Sequence, residues 1–169
     1  MRVLVTVASK HGATAEIGDA IARELADRDL EVTVRPPDEV EEAAGFDAFV
    51  IGSAVYAGRW QKAARQFVET NAAHLASRPV WLFSSGPIGD PPEPTADPVD
   101  VEDVMAATRA RTHRLFPGRL QQSSLSFGER AIVAALRAEY GDFRDFADIR
   151  AWAAEIAGEL ADDAQPTDA

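Results

Sequence analysis

Apolar positions along the chain recur in two alternating rhythms. Short continuous runs read as strands, and spacings of three and four read as helices. Arg2 to Ala8 carries Val3, Leu4, Val5 and Val7, the run of a strand buried on both faces. Ile17, Ile21 and Leu25 follow at spacings of four, predicting an amphipathic helix. Glu31 to Arg35 alternates as a short strand, closed by Pro36-Pro37. Asp47 to Gly52 holds Ala48, Phe49, Val50 and Ile51, a third strand. A helix is predicted from Trp60 or Gln61 to about Ala76, with Ala64, Phe67, Val68 and Leu75 on one side. Pro79 to Ser84 is a fourth strand through Val80, Trp81, Leu82 and Phe83. A proline-rich acidic loop leads to a helix near Val99 to Arg111. A fifth, weakly apolar strand spans Thr112 to Phe116. Two more helices are predicted, Glu129 to Tyr140 and about Phe146 to Leu160; the last places Ile149, Trp152, Ile156 and Leu160 in register. The pattern predicts one domain over residues 1–160 and a fraying acidic tail over 161–169.

Strands alternating with helices imply an α/β fold, a doubly wound five-stranded parallel sheet with helices on both faces. Ligands of such sheets sit beyond the carboxyl ends of the strands, at the switch point of the strand order. The loops leaving the strands are therefore the candidate binding segments. After the first strand comes Ser9-Lys10-His11-Gly12-Ala13-Thr14. This loop presents backbone N–H groups at the start of a helix, a ready phosphate site. It is neither Walker A nor GxGxxG, and its plainer reading is a βα turn with Ser and Thr as caps. After the third strand comes Ser53-Ala54-Val55-Tyr56-Ala57-Gly58, and after the fourth Ser85-Gly86-Pro87-Ile88-Gly89. A flat ring held between these two loops, with its phosphate in the first, accounts for all three.

Composition narrows the function. The chain has no cysteine, which excludes disulfides, thiol catalysis and Cys-ligated zinc or iron–sulfur sites. No metal-ligand motif and no catalytic Ser-His-Asp order stands in the sequence. The net charge is −11, and Asp90, Glu93, Asp97, Asp100, Glu102 and Asp103 lie together without a base among them. A nucleic-acid footprint is missing, and an anionic membrane would repel the chain. No run is long enough to span a bilayer. The N-terminus enters the first strand without a charged lead-in, so no signal peptide is expected and a cytoplasmic location is the default.

On the three loops named above, with Gly52 and Ser84 at the strand ends, the chain resembles the flavodoxin family. Within it, the chain is most similar to the flavodoxin-domain branch that includes the menaquinone-dependent protoporphyrinogen IX dehydrogenases. The similarity extends through Phe116-Pro117-Gly118-Arg119-Leu120 and Gly141-Asp142-Phe143-Arg144-Asp145-Phe146 to Trp152. The resemblance implies non-covalent FMN, with Ser9, His11, Gly12 and Thr14 on the phosphate and the 53–58 and 85–89 loops flanking the ring. It implies an FMN-dependent oxidoreductase acting on a small organic electron donor or acceptor, quinone- or porphyrinogen-like. The alternative is an FMN electron carrier between protein partners, to which the negative surface suits a basic redox protein; a flavin-free relic of the fold is a third. Two departures stand out. Ala13 and Lys10-His11 replace small hydroxyl residues of the phosphate loop. The segment Gln121 to Gly128 is shorter than the basic, aromatic insertion of those dehydrogenases.

Several residues carry two readings. Tyr56 stacks on a ring, or packs on Trp60 or the helix it starts. Lys10 and His11 meet a phosphate or are solvated. Trp60 anchors the start of its helix, and Trp81 and Trp152 belong to the core. His74 and His113 are structural and lie away from the site. The acidic stretch 90–103 is a solvated loop or a docking rim. The segment Phe116 to Phe127 is expected to border the open edge of the flavin.

Overall fold

The computed structural model describes residues 1–86 and 96–165. Each apolar run becomes a strand: Arg2–Ala8 (β1), Glu31–Arg35 (β2), Ala48–Tyr56 (β3), then, after the short Arg59–Trp60 strand (β4), Val80–Ser85 (β5) and Thr112–Phe116 (β6). Five of them lie parallel in the order β2-β1-β3-β5-β6, and β4 pairs antiparallel with the end of β3. The helices are Ala13–Ala26 (α1), Lys62–Leu75 (α2), Val101–Thr108 (α3), Phe127–Leu136 (α4) and Phe146–Asp163 (α5). A two-stranded ribbon of Arg119–Leu120 (β7) and Gly141–Asp142 (β8) brackets α4.

Period-two alternation along the central strands divides the core. Val3, Val5, Val50, Trp81 and Phe83 point to the face covered by Ile17 and Ile21 of α1 and Ile149, Trp152 and Ile156 of α5. Leu4, Phe49, Ile51, Val80 and Leu82 point to the other, under Phe67 and Val68 of α2 and Val104 of α3. Burial on both faces is why these runs are continuous rather than alternating. The weak pattern of β6 has the converse cause: it is an edge strand, and Thr112 to Leu115 are half-buried or exposed. Under the carboxyl end of the sheet, Phe83, Phe116 and Trp152 form a triad with centroids 5.5–6.2 Å apart. Gly52 makes room for it, since a Cβ there would lie 2.2 Å from the Phe83 ring.

The element boundaries differ from the sequence expectation in ways that have local causes. β3 does not stop at Gly52 but runs to Tyr56, because it turns back into β4. Ala57 and Gly58 make that two-residue turn, both with positive φ (50° and 73°), the twist that suits a hairpin. Helix α2 consequently begins at Lys62, after Trp60. Helix α4 starts two residues earlier than expected, set by a capping box in which Ser126 and Glu129 satisfy each other's backbone N–H. It ends at Leu136, ahead of Tyr140, with Arg137 in the left-handed region. α5 carries on through Asp163, so the first tail residues are helical rather than frayed; Asp145 caps its start by accepting from the N–H groups of Ala147 and Asp148 at 2.9 and 3.1 Å. Among the described residues, no helix is long and apolar enough to cross a membrane.

Candidate functional site

The parallel sheet aims the ends of β1, β3 and β5 the same way, and a cleft of about 510 Å³ opens there. That volume is in the range of small-molecule sites. Of the residues predicted from sequence, Ser9, Lys10, His11, Ala13 and Thr14 line it from the first loop. Ala54, Val55, Tyr56 and Ala57 line it from the second, and Ser85 and Gly86 from the third. Pro87, Ile88 and Gly89 lie outside the described residues. Gly12, Ser53 and Gly58 serve the frame rather than the lining. Ser53 is fully buried, and its hydroxyl accepts from the N–H of Gln61 and donates to the Ala54 carbonyl, both at 2.8 Å, fixing the approach to α2. The Gly58 carbonyl accepts from the N–H of Val99 at 3.0 Å.

The first loop is shaped to receive an anion. Gly12 has φ 85°, a left-handed conformation that favours glycine, and a Cβ there would meet nothing within 4 Å. The Ser9 hydroxyl accepts from the Gly12 N–H at 3.1 Å, and Gly12 offers α1 no side-chain cap. The leading N–H groups of α1 therefore keep their donor capacity at the positive end of the helix dipole. Thr14 is buried one step into the helix.

Two polar assemblies hold the walls. The first is a buried chain beneath the second loop. Trp60 donates through Nε1 to the Ser84 hydroxyl at 2.7 Å, and Ser84 in turn meets Nε2 of His113 at 2.8 Å. Asp97 lies 3.3 Å from Nδ1 of that ring, which fits a proton on Nδ1 and an accepting Nε2. Burial pushes the imidazole below its ordinary value, against the pull of Asp97. Asp100, itself buried, accepts from the Trp60 N–H at 3.1 Å. Two members of the acidic stretch are thus structural rather than merely solvated. His74 and His113 both lie outside the cleft, and Trp60 is the expected anchor, although it anchors as a strand residue.

The second assembly lies at the mouth. One oxygen of Glu129, on α4, meets Lys10 Nζ at 2.5 Å, His11 Nε2 at 3.1 Å and the Tyr56 hydroxyl at 3.0 Å. Its other oxygen accepts from the Ser126 N–H at 2.7 Å. Lys10 also sits over the Tyr56 ring, 4.4 Å from the centroid. The bond from Lys10 holds the Glu129 carboxyl well below the usual carboxylate range, and the same bond raises the Lys10 ammonium. Tyr56 and His11 are thus engaged by Glu129, and Lys10, though its side chain stays 44 % exposed, is tied to the same carboxylate. Sequence periodicity places a helix here but is silent on Glu129, because the partners are about 70 and 120 positions away. The capping-box signature of Ser126 and Glu129 is the one local sign.

Leu125, Ile132, Val133 and Leu136 add an apolar wall to the cleft, and Gly118, Arg119 and Leu120 close its side. Next to Arg119, Arg144 is almost wholly covered, with its side chain 3 % exposed. It donates to Glu16 at 2.6 Å, to Asp142 at 2.7 and 2.8 Å and to the Ala13 carbonyl at 3.1 Å, tying the ribbon to the first turn of α1. Among the described residues, no group of three His, Asp or Glu side chains could hold a metal ion.

A strand order with its switch point between β1 and β3, and a glycine-bearing loop there that opens a helix into the cleft, define a doubly wound α/β protein with a cleft at its switch point. Residues 4–146 match the model of the flavodoxin domain family, and the chain belongs to it. It is similar to protoporphyrinogen IX dehydrogenase [quinone] of Escherichia coli, 28% identical over 95 residues, or 55% of this chain and 52% of that protein. The chain thus matches about half the length of the curated relatives it resembles. The fold is also that of a flavodoxin from the domain Archaea (TM-score 0.65, 15% identity, covering 95% of this chain and 99% of that one). Oxidised flavodoxin 1 from Bacillus cereus superposes at TM-score 0.64, with 15% identity, over 95% of this chain and 99% of its own. Rubredoxin oxygen:oxidoreductase from Desulfovibrio gigas does so at 0.63, with 9% identity, over 95% of this chain and 36% of its own.

Proposed function

We propose that the cleft binds FMN non-covalently and that the protein is an FMN-dependent oxidoreductase acting on a small organic electron donor or acceptor, quinone- or porphyrinogen-like. The donor set suits FMN. Ser9 to Thr14 offers backbone N–H groups and hydroxyls to a phosphate, and the second and third loops, through Tyr56 and Gly86, line the same cleft where a flat ring would lie. FMN is preferred to FAD because nothing obvious among the described residues cradles an adenosine. When bound, the flavin supplies the electron-transfer chemistry, and the protein's part is position, polarity and access.

One observation carries the enzyme reading. The cleft continues past the three flavin-type loops to an apolar wall made by Leu125, Ile132, Val133 and Leu136. A ring seated in those loops does not need that wall, whereas a second apolar molecule meeting the ring edge does. Tyr56, held by Lys10 and Glu129, would flank one side, and Glu129 would hold α4 over the entrance. The carrier reading has its own support: α4 has no buried residue, so a docking protein could displace it, and the chain is acidic.

The test is anaerobic reduction of the FMN-loaded protein and then addition of a soluble quinone. Rapid reoxidation without any protein partner is the expected result. Stable reduced protein in the presence of quinone, with fast reoxidation by a basic redox protein, would establish the carrier instead. Thr14→Ala should weaken FMN binding about tenfold, the effect of one hydrogen bond to a charged group. A titration with no saturable quenching of flavin fluorescence would remove the FMN reading altogether.

A further inference from the structure

The cations around the phosphate loop are unequally engaged. Lys10 is taken up by the Glu129 carboxylate and the Tyr56 ring. Arg144 is buried against Asp142, Glu16 and the Ala13 carbonyl and does not line the cleft. Arg119 is different. It stands in β7, lines the cleft beside Leu120, and keeps a side-chain exposure of 19 %. Its described contact is a long one, from Nη1 to the two Glu16 oxygens at 3.3 and 3.4 Å. A guanidinium has five N–H donors in a planar fork, and among the described residues only Nη1 of Arg119 is engaged.

Glu16 does not depend on that contact. Its carboxyl is held below its ordinary value first of all by the hydrogen bond from Arg144, with Arg119 a lesser influence. Arg119 can therefore turn to another acceptor without leaving Glu16 unpaired. The loop itself has little charged side-chain help for a doubly charged group. The hydroxyls of Ser9, which accepts from the Gly12 N–H, and of Thr14 can donate but carry no charge, and Ala13 has no hydroxyl. In a chain of net charge −11, a phosphate dianion needs a nearby cation more than an uncharged ligand does.

Resting on the FMN reading, we propose that Arg119 is the residue by which this site selects a phosphate monoester, FMN, over the unphosphorylated flavin. The guanidinium exchanges its loose contact with Glu16 for the phosphate. Arg144 keeps the first turn of α1 in place meanwhile. The contribution comes from the β7–β8 ribbon, after the fifth parallel strand, and not from the phosphate loop.

The experiment titrates wild-type protein, Arg119→Gln and Arg119→Lys with FMN and with riboflavin, following flavin fluorescence at two salt concentrations. Arg119→Gln is expected to lose about ten- to a hundredfold in FMN affinity, the effect of losing a charge-assisted hydrogen bond. Its riboflavin affinity should stay within about twofold, and its FMN binding should depend less on salt. Arg119→Lys, which keeps the charge without the fork, should recover part of the loss. Equal losses for both flavins, or an unchanged FMN-to-riboflavin ratio in the two variants, would overturn the selector role while leaving FMN binding intact. Wild-type protein that binds riboflavin as tightly as FMN would overturn it too. Wild-type protein that quenches neither flavin would overturn the FMN reading itself, and the selector with it.

Discussion

The floor and the cover of the cleft are built on opposite principles. The floor grows out of β1, β3 and β5, whose residues are almost all buried, and it is backed by the Phe83–Phe116–Trp152 triad. The cover, α4, contains no buried residue; Phe127 is 89 % exposed and Leu136 74 %. It is kept in place by one carboxylate that reaches the first and second loops. Position in the floor comes from packing, which is collective and hard to perturb locally. Position in the cover comes from a few polar contacts open to water, which are individually weak and easily exchanged. A rigid site under a loosely held cover is the arrangement expected where a ligand must enter and leave.

The largest effect should come from the floor. Trp152→Ala removes the hub of the aromatic triad and should cost about 3–5 kcal/mol in urea-induced unfolding. The matching truncation in the cover, Leu136→Ala, should stay within about 0.5 kcal/mol, as for an exposed site. A large loss at Leu136 would mean that α4 is part of the core after all.

Next comes the clasp. Glu129→Gln keeps the shape but removes the charge that Lys10 meets. Backbone amides of residues 128–136 should lose hydrogen-exchange protection, while the unfolding midpoint stays nearly unchanged. If the amides of α1 lose protection to the same degree, the clasp serves the floor as well as the cover.

The pH dependence sharpens the same contrast. Glu129 is depressed from an ordinary 4.5, so its contribution is complete above that value and is lost only as pH falls through its lower folded value. Lys10 is raised from 10.5, so its contribution is complete below that value and is lost as pH rises through its higher folded value. The Lys10–Glu129 pair should therefore hold α4 across the whole interval between. Protection factors of α4 that collapse near neutral pH would show that another group governs the cover.

A gain rather than a loss is expected at the hairpin between them. Ala57 sits at φ 50°, where an L side chain is disfavoured by roughly 1–2 kcal/mol. Ala57→Gly should raise stability by up to about 1 kcal/mol, the freer unfolded chain offsetting part of the relief. A loss of stability instead would mean that the Ala57 methyl, which lines the cleft, packs against something the strain serves.

Periodicity along the chain carried the five parallel strands and the core helices, because each has a buried face or faces that must be apolar over consecutive turns or residues. Val3 to Val7, Ala48 to Ile51 and Val80 to Phe83 are legible for that reason, and the loops after them mark the carboxyl edge. The motif at Ser9 to Thr14 is legible because a tight strand-to-helix turn needs its glycine locally. What stayed hidden was whatever depends on distant partners. That Val55 and Tyr56 continue β3 depends on the return strand at Trp60. That Asp100 is buried depends on the Trp60 N–H. That Glu129, Lys10, His11 and Tyr56 share one oxygen depends on α4 folding back over the sheet, and no local pattern encodes such a meeting. Sequence by itself thus determined the layers and the edge at which the cleft opens, because burial leaves a periodic trace. Only the tertiary structure decided what closes that edge and which cations face it, because single polar contacts between remote segments leave none.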